Sequence, residues 1–265
     1  EEPAERDSGG GAMNRVTTMI VARVVAVVVL LTALAACSSA VRKSEMRGAA
    51  QINTELAANY ARQGQYELAI EKLNRAIGQD SSFAPAHSML AVIQQTRGEF
   101  KAAEKSYRRA LALDASDPVL KTNFGVFLCR RGKRDEAQRL FAEATRDTRY
   151  PAPAEAWTNA GICWAPVAPD KAEEAFREAL RVSPDFPDAL AQMAKLTYAR
   201  GDYLRTRAFV QRFEMKSRAT PELLAIAARS EAALGDKNAA RAWAQRLQQD
   251  FPASAEAAAF ANWQP

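Results

Sequence analysis

The stretch WTNAGICWAPVAPDKAEEAFREALRVSP, residues 157–184, decides the fold of this 265-residue chain. In it Ala172 and Phe176 lie four positions apart and therefore on one face of a helix. A small residue lets two helix backbones approach each other, and the large residue fills the adjacent hole. A turn rich in proline, from Pro166 to Pro169, interrupts the stretch. These features predict two antiparallel helices that pack closely.

The same pattern repeats along the chain with a period of 34 residues. Gly64, Gly98 and Gly132 are 34 residues apart, and so are Gly201 and Gly235. We expect each of these glycines to end the first helix of a pair with a positive φ, which glycine adopts at low cost. This period, with its alternating alanine, aromatic, glycine and proline positions, is typical of tetratricopeptide repeats.

The sequence therefore predicts an all-α fold: a right-handed superhelix, or solenoid, of six tetratricopeptide helix-turn-helix repeats plus a C-terminal capping helix. The cap is expected because a solenoid end would otherwise expose its core. The fifth repeat departs from the pattern, with Thr206 and Phe213 where alanines are usual. The predicted repeats are residues 50–83, 84–117, 118–153, 154–186, 187–220 and 221–254, and the cap is residues 255–265.

The N-terminus has the features of an export signal that ends at a cysteine. An uncharged run at 24–36 has 13 residues, fewer than the ~20 that a membrane-spanning helix needs. It ends in Leu-Ala-Ala before Cys37, which resembles a bacterial lipobox, where the cysteine is lipidated after cleavage. The alternative is a plain secretory signal followed by an unrelated cysteine. We expect residues 1–12 to be an upstream extension, 13–36 a signal peptide and 37–49 a lipidated tether.

The composition argues against several classes of function. One histidine in the chain disfavours most catalytic triads and histidine-based metal sites, so we expect no enzyme, cofactor or metal. That histidine, His87, occupies a position where the repeat usually has tryptophan, which predicts a packing role. The 36 basic and 31 acidic residues are evenly mixed, and an exported protein does not routinely meet nucleic acid, so no nucleic-acid partner is expected.

Two other groups of residues are expected to be structural. Glu173, Glu174 and Glu178 lie on one predicted helix beside arginines, which indicates a solvated face rather than an acid–base pair. Trp157 and Trp164 are seven positions apart on one helix face, which favours core packing over a cofactor site.

The first helices of successive repeats are expected to build a concave surface that holds a peptide or another protein. The side chains predicted there form a weakly polar, partly apolar groove, which suits an extended or helical protein segment. For any single position the alternative is an ordinary solvent-facing residue. The predicted groove residues are Thr54, Ala58, Arg62, Ser88, Val92, Thr96, Thr122, Val126 and Arg130.

Two motifs that contain cysteine resemble a known family. The stretch TNFGVFLCRRG at 122–132 is followed by Arg149-Tyr-Pro and by the stretch NAGIC at 159–163. Together with the lipobox and the six repeats, these motifs are similar to the PilF/PilW family, outer-membrane lipoproteins of type IV pilus biogenesis that are also called pilotins.

The resemblance implies a role in delivering the pilus secretin to the outer membrane and promoting its assembly into a ring. It also implies a lipid-anchored position on the periplasmic face of the outer membrane, with the secretin subunit as partner. We expect the protein to be monomeric outside the pilus machine. The alternative function is a generic tetratricopeptide lipoprotein adaptor for cell-envelope enzymes or assembly machinery.

The resemblance further supports a disulfide between Cys129 and Cys163. Relative to Gly125 and Gly161, the two cysteines are offset by two residues, a rotation of ~200° on a helix. Neighbouring helices that run in the same direction meet through opposite faces, so this offset points the thiols toward each other. The periplasm is oxidising, and Cys37 is expected to carry lipid. The alternative is two buried free cysteines that act as small apolar residues.

Overall fold

A computed structural model describes residues 42–265 of the chain. Within those residues it contains 13 helices joined by short connections and no strands, so the predicted all-α fold is confirmed. Twelve of the helices form six consecutive pairs, and a short helix ends the chain. The helices are α1 (described part 42–62), α2 (Tyr66–Gln79), α3 (Ala84–Thr96), α4 (Phe100–Leu113), α5 (Pro118–Arg130), α6 (Arg134–Arg146), α7 (Pro153–Trp164), α8 (Pro169–Val182), α9 (Pro187–Ala199), α10 (Tyr203–Glu214), α11 (Pro221–Ala233), α12 (Lys237–Asp250) and α13 (Ala255–Ala259).

Glycine makes the turn inside five of the six pairs. These glycines have φ between 73° and 82°, as the repeat pattern predicts, and a side chain would be strained there. The fourth pair turns without glycine: the backbone N–H of Ala168 donates to the carbonyl of Trp164 over 2.8 Å, and Pro169 begins α8. The positive-φ glycines are Gly64, Gly98, Gly132, Gly201 and Gly235.

The chain divides into two compact units between Leu113 and Asp114. In the first unit, α1 and α2 pack through alanines, and both Ala57 and Ala69 have no exposed surface. Leu73 of α2 is equally buried in the same cluster. Small side chains therefore set the close approach of the helices, as the repeat pattern requires.

Helix α1 begins earlier than the sequence predicts. Residues 42–49, expected as part of the tether, are helical and continue directly into the first repeat. Arg47 places its guanidinium 5.7 Å from the ring centroid of Phe83, and Ala50 is fully buried. These contacts, with the good helix propensity of arginine, lysine, glutamate and methionine, extend the helix into a segment that lacks the repeat pattern. The other boundary that differs is α7, which begins at Pro153 rather than at 154.

In the second unit, two glycines inside helices make room for phenylalanine rings. A Cβ atom added at Gly125 would lie 2.7 Å from Cε1 of Phe141, and one at Gly161 would lie 2.3 Å from Cε1 of Phe176. Both rings are almost fully buried. In these two pairs the first helix therefore carries glycine where the ring of its partner helix presses against the backbone.

The fifth repeat replaces an alanine contact with a pair of hydroxyls. Thr206 is fully buried, donates to the carbonyl of Asp202 over 2.9 Å and lies 3.0 Å from the hydroxyl of Thr197. Thr197 in turn reaches the carbonyl of Met193 over 2.8 Å. Phe213 fills the remaining space as a buried member of the last core cluster. The departure from the pattern therefore preserves close packing, because both of these buried hydroxyls have partners.

The expected C-terminal helix is present as α13. Ser254 caps it by accepting from the backbone N–H of Ala257 over 3.0 Å. Phe260 follows, is 2% exposed and belongs to the last core cluster, while the ring of Trp263 lies 4.7 Å from it. The amide of Gln248 on α12 donates to the carbonyl of Phe260 over 2.9 Å. This segment therefore covers the end of the last helix pair.

Candidate functional site

The first unit contains a groove between α1 and α3 that coincides with part of the predicted binding surface. Its volume is about 290 Å³, and most of its wall is apolar. Four of the predicted residues lie in it together: Ala58, Arg62, Val92 and Thr96. The complete lining, which we call the first-unit groove, is Ala58, Ala61, Arg62, Tyr66, Met89, Val92, Ile93 and Thr96.

The polar groups of the first-unit groove are few and mostly engaged. The hydroxyl of Thr96 donates to the carbonyl of Val92 over 3.0 Å, so this side chain has its donor occupied within its own helix. The guanidinium of Arg62 donates to the side-chain oxygen of Asn59, which holds the charge at the edge of the groove. The groove therefore offers an apolar wall with one cation beside it.

Two predicted groove residues are buried instead. Thr54 is 9% exposed and Thr122 is 2% exposed. Each donates its hydroxyl to the carbonyl four residues earlier, Thr54 to Ala50 over 2.9 Å and Thr122 to Pro118 over 2.8 Å. They lie on the side of the helix that faces the core, where a bond to the helix backbone satisfies the buried hydroxyl. The prediction for these two positions is corrected accordingly.

The remaining predicted positions are accessible to different extents. Ser88 on α3 is half-buried and does not line the first-unit groove. On α5 of the second unit, Val126 is half-buried and Arg130 is exposed. His87 is half-buried as well, with its Nε2 3.2 Å from the carbonyl oxygen of Ser81.

Cys129 and Cys163 form a disulfide in the second unit. Their Cα atoms are 5.7 Å apart, inside the usual range for a disulfide, and Cys163 is 1% exposed. The bond joins α5 to α7, the first helices of successive pairs. It therefore spans the connection between α6 and α7, which contains Pro151 and leads to Pro153, the first residue of α7.

The Arg149-Tyr-Pro motif has a structural role in that connection. Arg149 donates two hydrogen bonds to the carboxylate of Asp147, over 3.0 and 2.8 Å, and this contact lowers the pKa of Asp147 to about 2. Tyr150 is buried against Ala144 and Ala156, and its burial raises the pKa of its hydroxyl. The motif therefore fixes the passage from α6 to α7.

Glu173 does not lie on a solvated face. Its side chain is 11% exposed and receives hydrogen bonds from Arg177 over 2.7 Å, from Arg205 over 2.5 Å and from Arg200. The hydrogen bond from Arg205 is the largest of the effects that hold the pKa of this carboxyl below its usual range. Three arginines from three segments of the second unit therefore converge on one carboxylate, which a single-helix pattern does not predict.

Cys37 and the rest of the predicted signal segment lie outside the described residues. Among residues 42–265, no helix combines the length and apolarity that crossing a membrane requires. The same residues contain no group of three or more histidine, cysteine, aspartate or glutamate side chains arranged to hold a metal ion.

Comparison with known proteins identifies relatives of the chain. The tetratricopeptide repeat family matches residues 54–118. The type IV pilus assembly protein PilF of Pseudomonas aeruginosa is 34% identical over 160 residues, which cover 60% of this chain and 64% of the relative. An uncharacterised Haemophilus influenzae protein is 32% identical over 115 residues, covering 43% of this chain and also 64% of the relative. The matches thus span just under two thirds of each curated relative.

Solved structures match over a larger share of the chain. Pseudomonas aeruginosa PilF superposes with a TM-score of 0.72 at 30% identity, covering 82% of this chain and 97% of that structure. PilW, described as a widely conserved type IV pilus biogenesis factor, gives a TM-score of 0.72 at 28% identity, covering 79% and 97%. The likeness therefore extends over nearly the whole of both solved structures.

Proposed function

Because this chain belongs to the PilF/PilW family of tetratricopeptide proteins of type IV pilus biogenesis, we propose that it is a pilotin. In this role it binds the secretin subunit and promotes its assembly into a ring in the outer membrane. The function is that of a non-enzymatic scaffold. The lining of the first-unit groove fits this role because it offers hydrophobic contact and no acid–base pair.

The observation that carries the proposal is the first-unit groove itself. Val92 is 37% exposed although it is apolar, and it lies beside Met89 and Ile93 in one wall. An apolar face of a partner helix, or an extended segment with alternating apolar residues, would be buried there. Arg62 at the edge would favour an acidic residue next to that apolar face.

A lipid on Cys37 would hold this groove near the membrane. The helical part of the chain begins by residue 42, and five residues reach at most ~18 Å when extended. Because stable membrane anchoring takes more than one acyl chain, multiple acylation of Cys37 would keep the first unit at the periplasmic face of the outer membrane. Cys37→Ser should release the protein from outer-membrane fractions or leave its precursor unprocessed. Mass spectrometry of the mature N-terminus measures the modification directly, and an unmodified N-terminus at any other residue would refute it.

The secretin-binding role is tested with two matched substitutions in the first unit. Val92→Glu places a charge in the groove, while Leu68→Glu places one on α2, where Leu68 is 41% exposed and does not line the groove. We expect Val92→Glu to reduce the yield of heat-stable secretin multimers and the binding of purified secretin, because burying a carboxylate in an apolar groove is costly. Leu68→Glu should leave both unchanged.

Circular dichroism serves as the control for folding, since both variants should keep the helicity of the wild-type protein. Loss of binding with Leu68→Glu but not with Val92→Glu would assign secretin binding to the other face. Normal multimers in a strain that lacks the gene would remove the pilotin mechanism altogether.

A further inference from the structure

A second cavity lies in the second unit, between α6, α7 and α8. Its volume is about 270 Å³, and it is open to solvent. Unlike the first-unit groove, it has two tryptophans and two glutamates in its wall. The lining, which we call the tryptophan pocket, is Gln138, Trp157, Ala160, Trp164, Lys171, Glu174, Ala175 and Glu178.

The tryptophan rings are fixed from behind. Trp157 packs against a buried cluster that contains Ala179 and Ala189, and Trp164 packs against one that contains Phe176 and Met193. Both tryptophans therefore pack against the core, as predicted, but they are also partly exposed and line the pocket. Rings held in this way offer a preformed surface, so a ligand would lose little free energy in ordering them.

The pocket has depth because small residues separate its walls. Ala160 on α7 and Ala175 on α8 are both buried and carry only a methyl group each. The amide of Gln138 on α6 donates to the carbonyl of Ala160 over 3.0 Å, which closes one side. A cavity of about 270 Å³ has room for one side chain of a partner.

The charges around the pocket favour a cation. Lys171 already places its ammonium 4.4 Å from the ring centroid of Trp164, whereas in the described part of the chain no cation lies over Trp157. Glu174 is exposed and has no ion-pair partner among residues 42–265, while Glu178 pairs with Arg181 over 2.9 Å. A neighbouring depression of about 340 Å³ shares Glu174 and Glu178 and adds Asp170, Glu173 and Arg177. Its Asp170 and Glu173 are paired with arginines, so Glu174 is the carboxylate that remains available to a cation.

From this geometry we propose that the tryptophan pocket binds an arginine side chain of a partner protein. A guanidinium is planar, stacks on an indole face and donates to a carboxylate with two N–H groups. Trp157 offers the open ring and Glu174 the unpaired carboxylate. The pocket belongs to the second unit and the proposed secretin groove to the first, so neither proposal depends on the other.

The test follows the indole N–H signals of the four tryptophans by nitrogen-15 NMR while a peptide is added to the full chain. The probe is acetyl-Gly-Arg-Gly-amide, and the control is the same peptide with citrulline, which keeps the shape of arginine without its charge. We expect saturable shifts of Trp157 and Trp164 with the arginine peptide only. Shifts of equal size with citrulline, equal shifts at Trp243 and Trp263, or no shifts at millimolar peptide would overturn the proposal.

Charge variants distinguish a specific pocket from general attraction. Glu174→Lys should weaken arginine binding about tenfold, because repulsion replaces attraction at close range. Glu155→Lys makes the same charge change at an exposed position of α7 that does not line the pocket, and it should leave the affinity unchanged. Lys171→Gln should tighten binding, because it removes a competing cation from Trp164. Equal effects of Glu174→Lys and Glu155→Lys in well-folded variants would refute the pocket.

Discussion

The two units of the chain share one repeat pattern but are reinforced differently. In the first unit, the ion pair between Arg97 and Glu67 lies at the surface, with the Glu67 side chain 81% exposed. In the second unit, Glu231 is 7% exposed and accepts from Arg207, and Glu173 accepts from three arginines. The second unit also contains the disulfide, whereas the described residues of the first contain no cysteine.

This difference separates packing that every repeat needs from packing that only some repeats have. The alanine contacts and the turn glycines occur in both units, and they define the fold. The cross-link and the buried ion pairs occur where the pattern is disturbed, at the proline-rich connection before α7 and around the divergent fifth repeat. The first unit keeps the regular pattern and carries the open apolar groove. We infer that reinforcement compensates for irregular repeats, and each prediction below tests one part of that view.

The largest effect is expected from removing the disulfide. The Cys129→Ala/Cys163→Ala double variant frees a loop that the bond closes across 34 residues, so the free energy of unfolding of the second unit should fall by about 4 kcal/mol. All four tryptophans lie in the second unit, so their fluorescence during urea unfolding follows that unit. Reduction of the wild-type protein should give the same shift in midpoint. An unchanged midpoint would show that the disulfide does not reinforce this unit.

The next effect is expected at the glycines that face phenylalanine rings. Gly161→Ala should destabilise the second unit by about 3 kcal/mol, because its Cβ would lie 2.3 Å from Phe176 and the ring is buried. Gly125→Ala, with 2.7 Å to Phe141, should cost less, about 2 kcal/mol. Urea unfolding followed by tryptophan fluorescence measures both values. The reverse order of the two variants would contradict the packing argument.

The repeated framework could be predicted from the sequence because its signals are local. The turn glycine, present in five of the six pairs, and the alanine four positions before a large residue lie within one repeat, and each fixes its own turn or helix contact. The position of Glu173 could not be predicted in this way. Two of its partners, Arg200 and Arg205, lie 27 and 32 residues further along the chain, and only the packing of later helices brings them to the carboxylate.

The groove could be predicted only in part for a related reason. Neighbouring positions on a helix differ by about 100°, so residues at the border between groove and core are easily assigned to the wrong side. Thr54 and Thr122 lie on the core side of that border. Met89 and Ile93 were missed because apolar residues at helical spacing indicate a core, although here they also line the groove, with Met89 half-buried and Ile93 buried. The helical segment at 42–49 was missed because the repeat pattern does not extend into it.

Replacing the buried Glu173 of the second unit should lower the free energy of unfolding more than replacing the exposed Glu67 of the first. Glu173→Gln should lower the free energy of unfolding by about 1.5 kcal/mol at neutral pH, since it weakens charge-assisted hydrogen bonds. Glu67→Gln, in the exposed pair with Arg97, should change it by about 0.5 kcal/mol or less. Equal effects would mean that burial adds nothing to the strength of the ion pairs.

The same carboxylate predicts a pH dependence with a definite sign. Because folding lowers the pKa of Glu173 from its ordinary 4.5, its contribution is fully present above that value and is lost as the pH falls through the lower folded pKa. The stability difference between wild type and Glu173→Gln should therefore be constant near neutral pH and shrink in acid. Urea midpoints measured across the acid range test this, and a difference that grows in acid would contradict the assignment.

Substitutions at the turn glycines should have smaller effects than Glu173→Gln, and these effects should be the same in both units. Gly64→Ala and Gly132→Ala each place a side chain at a positive φ, 73° and 77°, with open space around it. Each should therefore cost about 1 kcal/mol through backbone strain alone.

Gly78→Ala is the control: this glycine lies within α2, has no positive φ and has no atom within 4 Å of an added Cβ, so alanine should be neutral or stabilising. Tryptophan fluorescence during urea unfolding follows the second unit, while circular dichroism follows the helices of both, so the first unit is measured as the part of the circular dichroism transition that fluorescence does not show. A much larger cost at Gly132 than at Gly64 would show that reinforcement of the second unit extends to its turns, because the local geometry of the two glycines is the same.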